Sequence, residues 1–264
     1  MPADGWDPAQ YDRFRQERQQ PFVDLLALLH PAPGCRAIDL GCGTGELTVA
    51  LHKHLLAGET IGIDRSAAML DDSDRWAVEG VWFGQRDIVS FPDPDGSDGH
   101  FDVIAANASL QWVHDHHRVL DALTTALRPH GQLAFQVPAN FDHPSHAVAT
   151  DVAAEAPFAG ALADAGDPRP AAVLAPEEYA IALYGMGYTD QVVRLQVYGH
   201  LLASTEDVVE WVKGTLLTPY RERLDPASYE AFVERYRSRL LGILGDQRPY
   251  FYPFKRILCW ARRP

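Results

Sequence analysis

Ala37-Ile38-Asp39-Leu40-Gly41-Cys42-Gly43-Thr44-Gly45 joins a short apolar run, an acid and three glycines at alternate positions. Ala37 to Leu40 read as a buried strand. Glu46 to Leu56 read as the helix behind it, with Leu47, Ala50, Leu51 and Leu55 near helical spacing. The glycines then fall in the strand-to-helix turn, where they permit positive φ and let a ligand approach the backbone with no Cβ in the way. A dinucleotide fingerprint requires its third glycine where Glu46 stands, and a carboxylate there would face a pyrophosphate. A P-loop requires Gly-Lys-Ser/Thr, and no lysine follows these glycines. A plain glycine-rich turn is the remaining structural alternative.

Outward from this stretch, strands and helices alternate. Thr60 to Asp64 read as the second strand, with an acid at its tip roughly twenty residues beyond the glycines, where doubly wound folds bind ribose hydroxyls. Ser66 is placed to cap the helix starting at Ala67. Val81-Trp82-Phe83 opens a third strand that runs toward Asp87-Ile88, and Phe101 to Asn107 form the fourth. Asn107, Gln111 and Trp112 leave the C-terminal end of that strand, the end that borders the reaction site in an open parallel sheet. A helix over 117–128 and a fifth strand over Gln132–Pro138 follow. His114, His116 and His117 flank Asp115 and read as a solvated loop and helix start. Neighbouring histidines cannot all point at one ion, and no metal is expected.

The chain has 264 residues, 47% of them hydrophobic, enough for a sizeable α/β domain plus an insertion. A net charge of −13 without a dense Lys/Arg run argues against a nucleic-acid partner. No apolar stretch is long enough to span a bilayer. The start lacks a signal-peptide pattern. The odd set of cysteines, Cys35, Cys42 and Cys259, has no metal-type spacing. A reduced, cytoplasmic protein is the expectation, with a monomer compatible and the oligomeric state open. Cys42 reads as a small filler of the glycine turn.

The domain expectation has four parts. A helical segment over 1–34 forms an N-terminal lid, and residues 35–138 form the Rossmann-like core. Residues 139–187 and 202–250 form a helical cap over the substrate site. Strands in 188–201 and 251–264 complete the core sheet. Within the cap, residues 205–245 read as two longer helices.

The pattern D-x-G-x-G-x-G after a strand resembles motif I of the class I S-adenosylmethionine methyltransferases. That cofactor carries no phosphate, and an acidic neighbourhood suits its sulfonium and amino groups. Asp64, Asp87 and Asn107 follow in the class I order. A narrower likeness lies in Trp6-Asp7-Pro8-x-x-Tyr11-x-x-Phe14-x-x-Glu17-Arg18-x-x-Pro21 and in Ala106-Asn107-Ala108-Ser109-Leu110-Gln111-Trp112. It continues in Trp211-Val212-Lys213-Gly214-Thr215 and in Tyr252-Pro253-Phe254-Lys255-Arg256. Over nearly the whole chain these segments resemble the trans-aconitate 2-methyltransferase family. One departure weakens the tricarboxylate expectation: Leu217-Thr218-Pro219 stands where the family tends to read Leu-Arg-Pro.

The resemblance implies a doubly wound, mostly parallel seven-stranded α/β sheet with an inserted helical cap. It also implies S-adenosylmethionine as cofactor and S-adenosylhomocysteine as product. Asp39, Gly41, Cys42, Gly43 and Gly45 are then placed at the methionine end of the cofactor. Asp64 and Arg65 are placed at the ribose, Asp87 and Ile88 at the adenine, and Asn107 beside the methyl group. Tyr11, Phe14, Arg18, Trp112, Lys213 and Arg221 are implied as contacts of a small anionic substrate. The implied reaction is monomethyl esterification of trans-aconitate. It needs no general base, because a carboxylic acid is already ionised near neutral pH, and positioning falls to Asn107 and Trp112. Three alternatives stay open. One is another O-, N- or C-acceptor, with a base drawn from the histidines after Trp112 or from His143 and His146. The others are a non-catalytic S-adenosylmethionine-binding protein and a nicotinamide dehydrogenase, which Glu46 disfavours.

Overall fold

In the computed structural model of the chain, residues 15–93, 100–163 and 173–264 are described, the side chains of 15–18 and 163 excepted. Helix α1 (Arg15–Leu26) precedes β1 (Arg36–Leu40), α2 (Glu46–Leu55), β2 (Glu59–Asp64), α3 (Ala67–Leu70), β3 (Val81–Gln85) and β4 (Phe101–Asn107). Next come α4 (His116–Ala126), β5 (Leu127–Pro138), α5 (Pro144–Ala153), α6 (Phe158–Ala163), α7 (Pro176–Gly185) and β6 (Asp190–Leu202). Helices α8 (Glu206–Lys213), α9 (Thr218–Arg223) and α10 (Pro226–Leu244) lead to β7 (Tyr250–Arg262).

The seven strands lie in the order β3-β2-β1-β4-β5-β7-β6. The first five are parallel to their neighbours, and β7 runs antiparallel to β5. This is the mostly parallel, doubly wound sheet expected. The central strands read as continuous apolar runs because both of their faces are covered: Ala37, Leu40, Val103, Ile104, Ala134 and Phe135 are all buried. Strand β1 pairs with β2 on one side and β4 on the other. The strand order therefore reverses there, and doubly wound sheets bind ligands beyond the carboxyl ends of the strands at such a reversal.

The chain divides into two compact units. One holds residues 18–138, 171–196 and 256–264, which include the parallel strands. The other holds residues 15–17, 139–163 and 197–255. The sequence expectation placed 171–187 in the cap, whereas these residues group with the sheet unit. Tyr179 on α7 is fully buried there and shares a 2.5 Å hydrogen bond with His116 Nδ1. The Tyr188 hydroxyl donates to Thr124 Oγ1 at 3.0 Å. The other unit closes around its own core of Val148, Val152, Phe158, Trp211, Phe232 and Tyr236. Three helices stand where two were expected between 205 and 245, separated at Gly214 and at the Asp225-Pro226 step. Asp225 caps α10 by accepting from the amides of Ala227 and Ser228 at 3.1 Å each. Among the described residues no helix is long and apolar enough to cross a membrane.

Candidate functional site

The glycine turn adopts the conformation its composition allows, with φ of +75° at Gly41, +58° at Gly43 and +87° at Gly45. Space around the glycines is less uniform than the sequence suggests. A Cβ on Gly41 would lie 2.3 Å from Ser109 Cβ, and one on Gly45 would lie 2.6 Å from the Phe83 ring. Those two glycines let protein pack against protein. Gly43 is the least crowded of the three: its Cβ would meet Met69 Cε, the end of a flexible side chain, at 3.2 Å. The amides of Gly41 and Cys42 both donate to Ile63 O, and the Gly43 amide donates to Asp64 Oδ2 at 2.9 Å. Asp64 Oδ1 accepts from the Ser66 amide at 2.9 Å. The tip of β2 therefore braces the turn after β1. Each Asp64 oxygen keeps a further acceptor site for a ligand hydroxyl.

Beneath the turn, Asp39 is 3% exposed and accepts from Thr48 Oγ1 at 2.6 Å. Burial pushes its carboxyl up to about 6, partly opposed by the Thr48 hydrogen bond and reinforced by the Asp64 charge. Burial, with the Asp39 and Asp64 charges, also holds the Cys42 thiol protonated. Cys42 therefore acts as the inert filler anticipated, not as a nucleophile. After β3, Asp87 caps a short 3-10 turn by accepting from the Val89 amide at 3.0 Å. Ile88 Cδ1 lies 3.6 Å from the Cβ position of Gly41. Arg65 is exposed beside Asp64, and its carbonyl accepts from Gln85 Nε2.

The end of β4 joins this rim through Ser109, whose Oγ donates to Leu40 O at 2.5 Å. Asn107 Oδ1 accepts from Gln136 Nε2 at 2.7 Å, and Gln136 Oε1 accepts from Arg256 Nη1 at 3.0 Å. Gln111 spends its amide nitrogen on Ala108 O, pinning a residue at φ +54°. Trp112 is half-buried at the end of the same 3-10 turn. His116 is not a solvated loop residue: it is 3% exposed. Its Nε2 lies 3.1 Å from Leu110 O and its Nδ1 2.5 Å from the Tyr179 hydroxyl. The carbonyl can only accept, so the proton sits on Nε2 and Nδ1 accepts from tyrosine. Burial holds this imidazole neutral.

A family profile described as a methyltransferase domain matches residues 11–170. The chain is 40% identical over 261 residues to the trans-aconitate 2-methyltransferase of Deinococcus radiodurans, covering 98% of each chain. The chain belongs to this methyltransferase family. It is also 37% identical to the Streptomyces avermitilis protein of the same name, covering 100% of this chain and 99% of that one. Among solved structures, YcgJ from Bacillus subtilis matches with a TM-score of 0.59 at 16% identity, over 93% of this chain and 98% of that one. Haemonchus contortus phosphoethanolamine N-methyltransferase 2, in complex with S-adenosyl-L-methionine, matches with a TM-score of 0.52 at 15% identity, over 93% of this chain and 52% of that one. At those identities the likeness is one of fold.

The methyl donor of this methyltransferase is S-adenosylmethionine. The residues present suit it: Gly43 is the least crowded of the three glycines, and the carboxylates Asp39 and Asp64 lie beneath and beside the turn. That donor set favours a cationic, phosphate-free ligand carrying hydroxyls. The expected substrate contacts fall differently. Tyr11 and Phe14 lie outside the described residues, and Arg18 is described by its backbone alone. In the unit that holds 197–255, Lys213 Nζ pairs with Glu210 at 2.5 Å, Arg221 is exposed, and Thr218 is 4% exposed.

The two cap histidines considered as bases are engaged within their own unit. His143 Nδ1 accepts from the Ser145 amide at 3.1 Å, which leaves its Nε2 proton for the Tyr250 hydroxyl at 3.2 Å. His146 is held by Ser145 Oγ at 3.0 Å and is pushed down to about 3 by burial.

Sequence reasoning missed Thr48, Phe83, Ser109, Gln136 and Arg256. The last two carry a signal in retrospect, as polar side chains inside otherwise apolar strands.

Proposed function

We propose that this methyltransferase esterifies a carboxylate of trans-aconitate, releasing the monomethyl ester and S-adenosylhomocysteine. The reading is carried by 40% identity over 98% of the chain to a relative bearing that name. The site agrees with it chemically. His116 is neutral and spent in two hydrogen bonds, and a carboxylate acceptor needs no base.

When bound, S-adenosylmethionine supplies an electrophilic methyl group. The chain's own contribution is positional. Gly43, with Gly41, Cys42 and Gly45 forming its turn over Asp39, admits the methionine end. Asp64 takes the ribose hydroxyls beside Arg65, and Asp87 and Ile88 take the adenine. Asn107 and Trp112 hold the acceptor oxygen in line. Charged side chains are needed for the anionic groups of the substrate, and Arg18, Lys213 and Arg221, with Tyr11 and Phe14, remain the candidates that the resemblance implies. Fixing oxygen, carbon and sulfur in line can supply roughly 7–11 kcal/mol in favourable cases. Thr218, at the position of a family arginine, favours a second reading in which the acceptor is a different small carboxylic acid.

Labelled S-adenosylmethionine offered with trans-aconitate, cis-aconitate, citrate and isocitrate, with products read by mass, tests both readings. A trans-aconitate monomethyl ester is the expected product. Esters of another acid alone would move the assignment to that acid, and methylation of no carboxylate would reject both.

A further inference from the structure

The hydrogen-bond chain across β4, β5 and β7 has its polarity fixed from one end. A guanidinium can only donate. Arg256 Nη1 is 3.0 Å from the Gln136 side chain, so the Gln136 atom facing it is the carbonyl oxygen. The Gln136 amide nitrogen must then face Asn107, whose Oδ1 at 2.7 Å must accept. Reversing either amide would set donor against donor or acceptor against acceptor. Asn107 is left with its –NH2 group as the outward atom, and among the described residues that nitrogen makes no hydrogen bond. Gln136 is 1% exposed and Arg256 6%, so water does not rescue a reversed arrangement. Register makes the chain continuous. Asn107 lies opposite Gln136 on β5, Gln136 lies opposite Leu258, and Arg256 is the diagonal neighbour on the same face. Asn107 ends β4, two residues before the serine that abuts Gly41.

We infer that Arg256 and Gln136 are positioning residues that make Asn107 an obligate hydrogen-bond donor at the rim, so that the site selects an anionic oxygen acceptor over an amine. This rests on the reading that Asn107 borders the transferred methyl. A carboxylate oxygen accepts from the –NH2 group with a charge-assisted bond. An amine nucleophile must direct its single lone pair at the methyl carbon and so turns only N–H groups toward the Asn107 –NH2, a mismatch that a carboxylate oxygen, with a second lone pair to accept, does not suffer.

Gln136→Glu separates this from a structural role. It keeps the side chain's length and gives Arg256 a charged acceptor, but has no N–H for Asn107. Calorimetry on the full chain loaded with S-adenosylhomocysteine would measure trans-aconitate affinity, alongside separate titrations of S-adenosylmethionine. Gln136→Glu should weaken trans-aconitate at least tenfold, with cofactor affinity held within twofold and no loss of Tm. Asn107→Asp should weaken it at least a hundredfold, because the outward atom becomes an anionic oxygen. If Gln136→Glu does not fold, Arg256→Met frees the Gln136 amide to turn and should show the same selective loss.

Unchanged trans-aconitate affinity in Gln136→Glu overturns the inference and leaves the proposed reaction standing. Equal losses for substrate and cofactor overturn it in favour of a structural role. Binding of a different carboxylic acid, with the same selective loss, would support the inference and reject trans-aconitate. Methylation of an amine, or failure to bind any carboxylate of the panel, would reject both.

Discussion

Strand β5 carries two buried glutamines on one face, and they do opposite things. Gln132 Oε1 accepts from the His30 amide at 2.8 Å and from Trp260 Nε1 at 3.0 Å, and its Nε2 donates to His30 O at 2.8 Å. Each of its polar atoms returns to a partner fixed by the fold. Gln136, nearer the carboxyl end of the strand, passes the polarity of Arg256 to Asn107, whose –NH2 group is left without a partner among the described residues. Residue type, burial and strand are the same. The end of the sheet differs, and in this architecture chemistry collects at the carboxyl ends. The set that closes among the described residues lies at one end, and the one left open lies at the end where we place the site.

The contrast breaks most visibly at Asp64, whose oxygens brace the turn and which we propose takes the ribose hydroxyls. Asp64→Ala removes charge-assisted hydrogen bonds worth about 1.5–3 kcal/mol each. The expected result is a rise of about 100-fold in the Kd for S-adenosylmethionine, read by calorimetry. An unchanged Kd would remove Asp64 from the cofactor site.

Gln132→Leu should do the reverse. It strands the buried Trp260 N–H and the polar backbone of His30, costing about 2 kcal/mol at the usual penalty for unsatisfied groups. Thermal unfolding should show the loss, with cofactor Kd within twofold of the parent. A variant that melts normally but binds the cofactor poorly would erase the distinction between the two ends.

Asp39 stands between these cases, since it is enclosed like Gln132 yet lies under the ligand turn. Its folded pKa of about 6 exceeds the ordinary 3.8. The raised value means that its contribution is fully present below pH 3.8 and is lost as pH rises through 6. Ionising it at pH 8 costs at most about 3 kcal/mol. An asparagine keeps an acceptor for Thr48 but returns part of that gain, because its amide nitrogen is also buried. Asp39→Asn should therefore stabilise the protein by about 1–2 kcal/mol at pH 8 and by nothing near pH 4. A stability difference that does not change with pH would show that the carboxyl is not desolvated as described.

The sheet was legible in the chain because its determinants are local. An apolar run, an acid and alternating glycines define β1 and its turn, and the acid at the tip of β2 follows at a characteristic distance. Asn107 was legible as the polar end of an apolar strand. Ser109, Thr48 and Phe83 were not, because each is ordinary in its own segment and acquires a role only from a residue distant in sequence. The grouping of α7 with the sheet was hidden for the same reason: the Tyr179 hydroxyl meets a histidine 63 positions away. His116 misled in the other direction. A polar triplet of histidines suggested solvent, but one of the three faces inward between a carbonyl and a phenol.

The smallest expected effect is on the pH dependence of turnover, and it bears on which end of the comparison performs the chemistry. A reaction that needs a base should rise through the imidazole range. Here the rim imidazole, His116, is held neutral by burial, and His146 in the cap unit is pushed down to about 3. Neither changes charge above pH 7, and a carboxylate acceptor is ionised throughout. The kcat should therefore vary by less than about twofold between pH 7 and 9. Below that range, protonation of Asp39 near pH 6 removes a negative charge from beside a cationic ligand. The effect should appear as a rising KM for S-adenosylmethionine, and it should be absent from Asp39→Asn. A kcat that climbs tenfold between pH 6 and 8 in both proteins would place an unrecognised base at the rim, and the unspent donor of Asn107 would then lose its standing as the feature that defines the site.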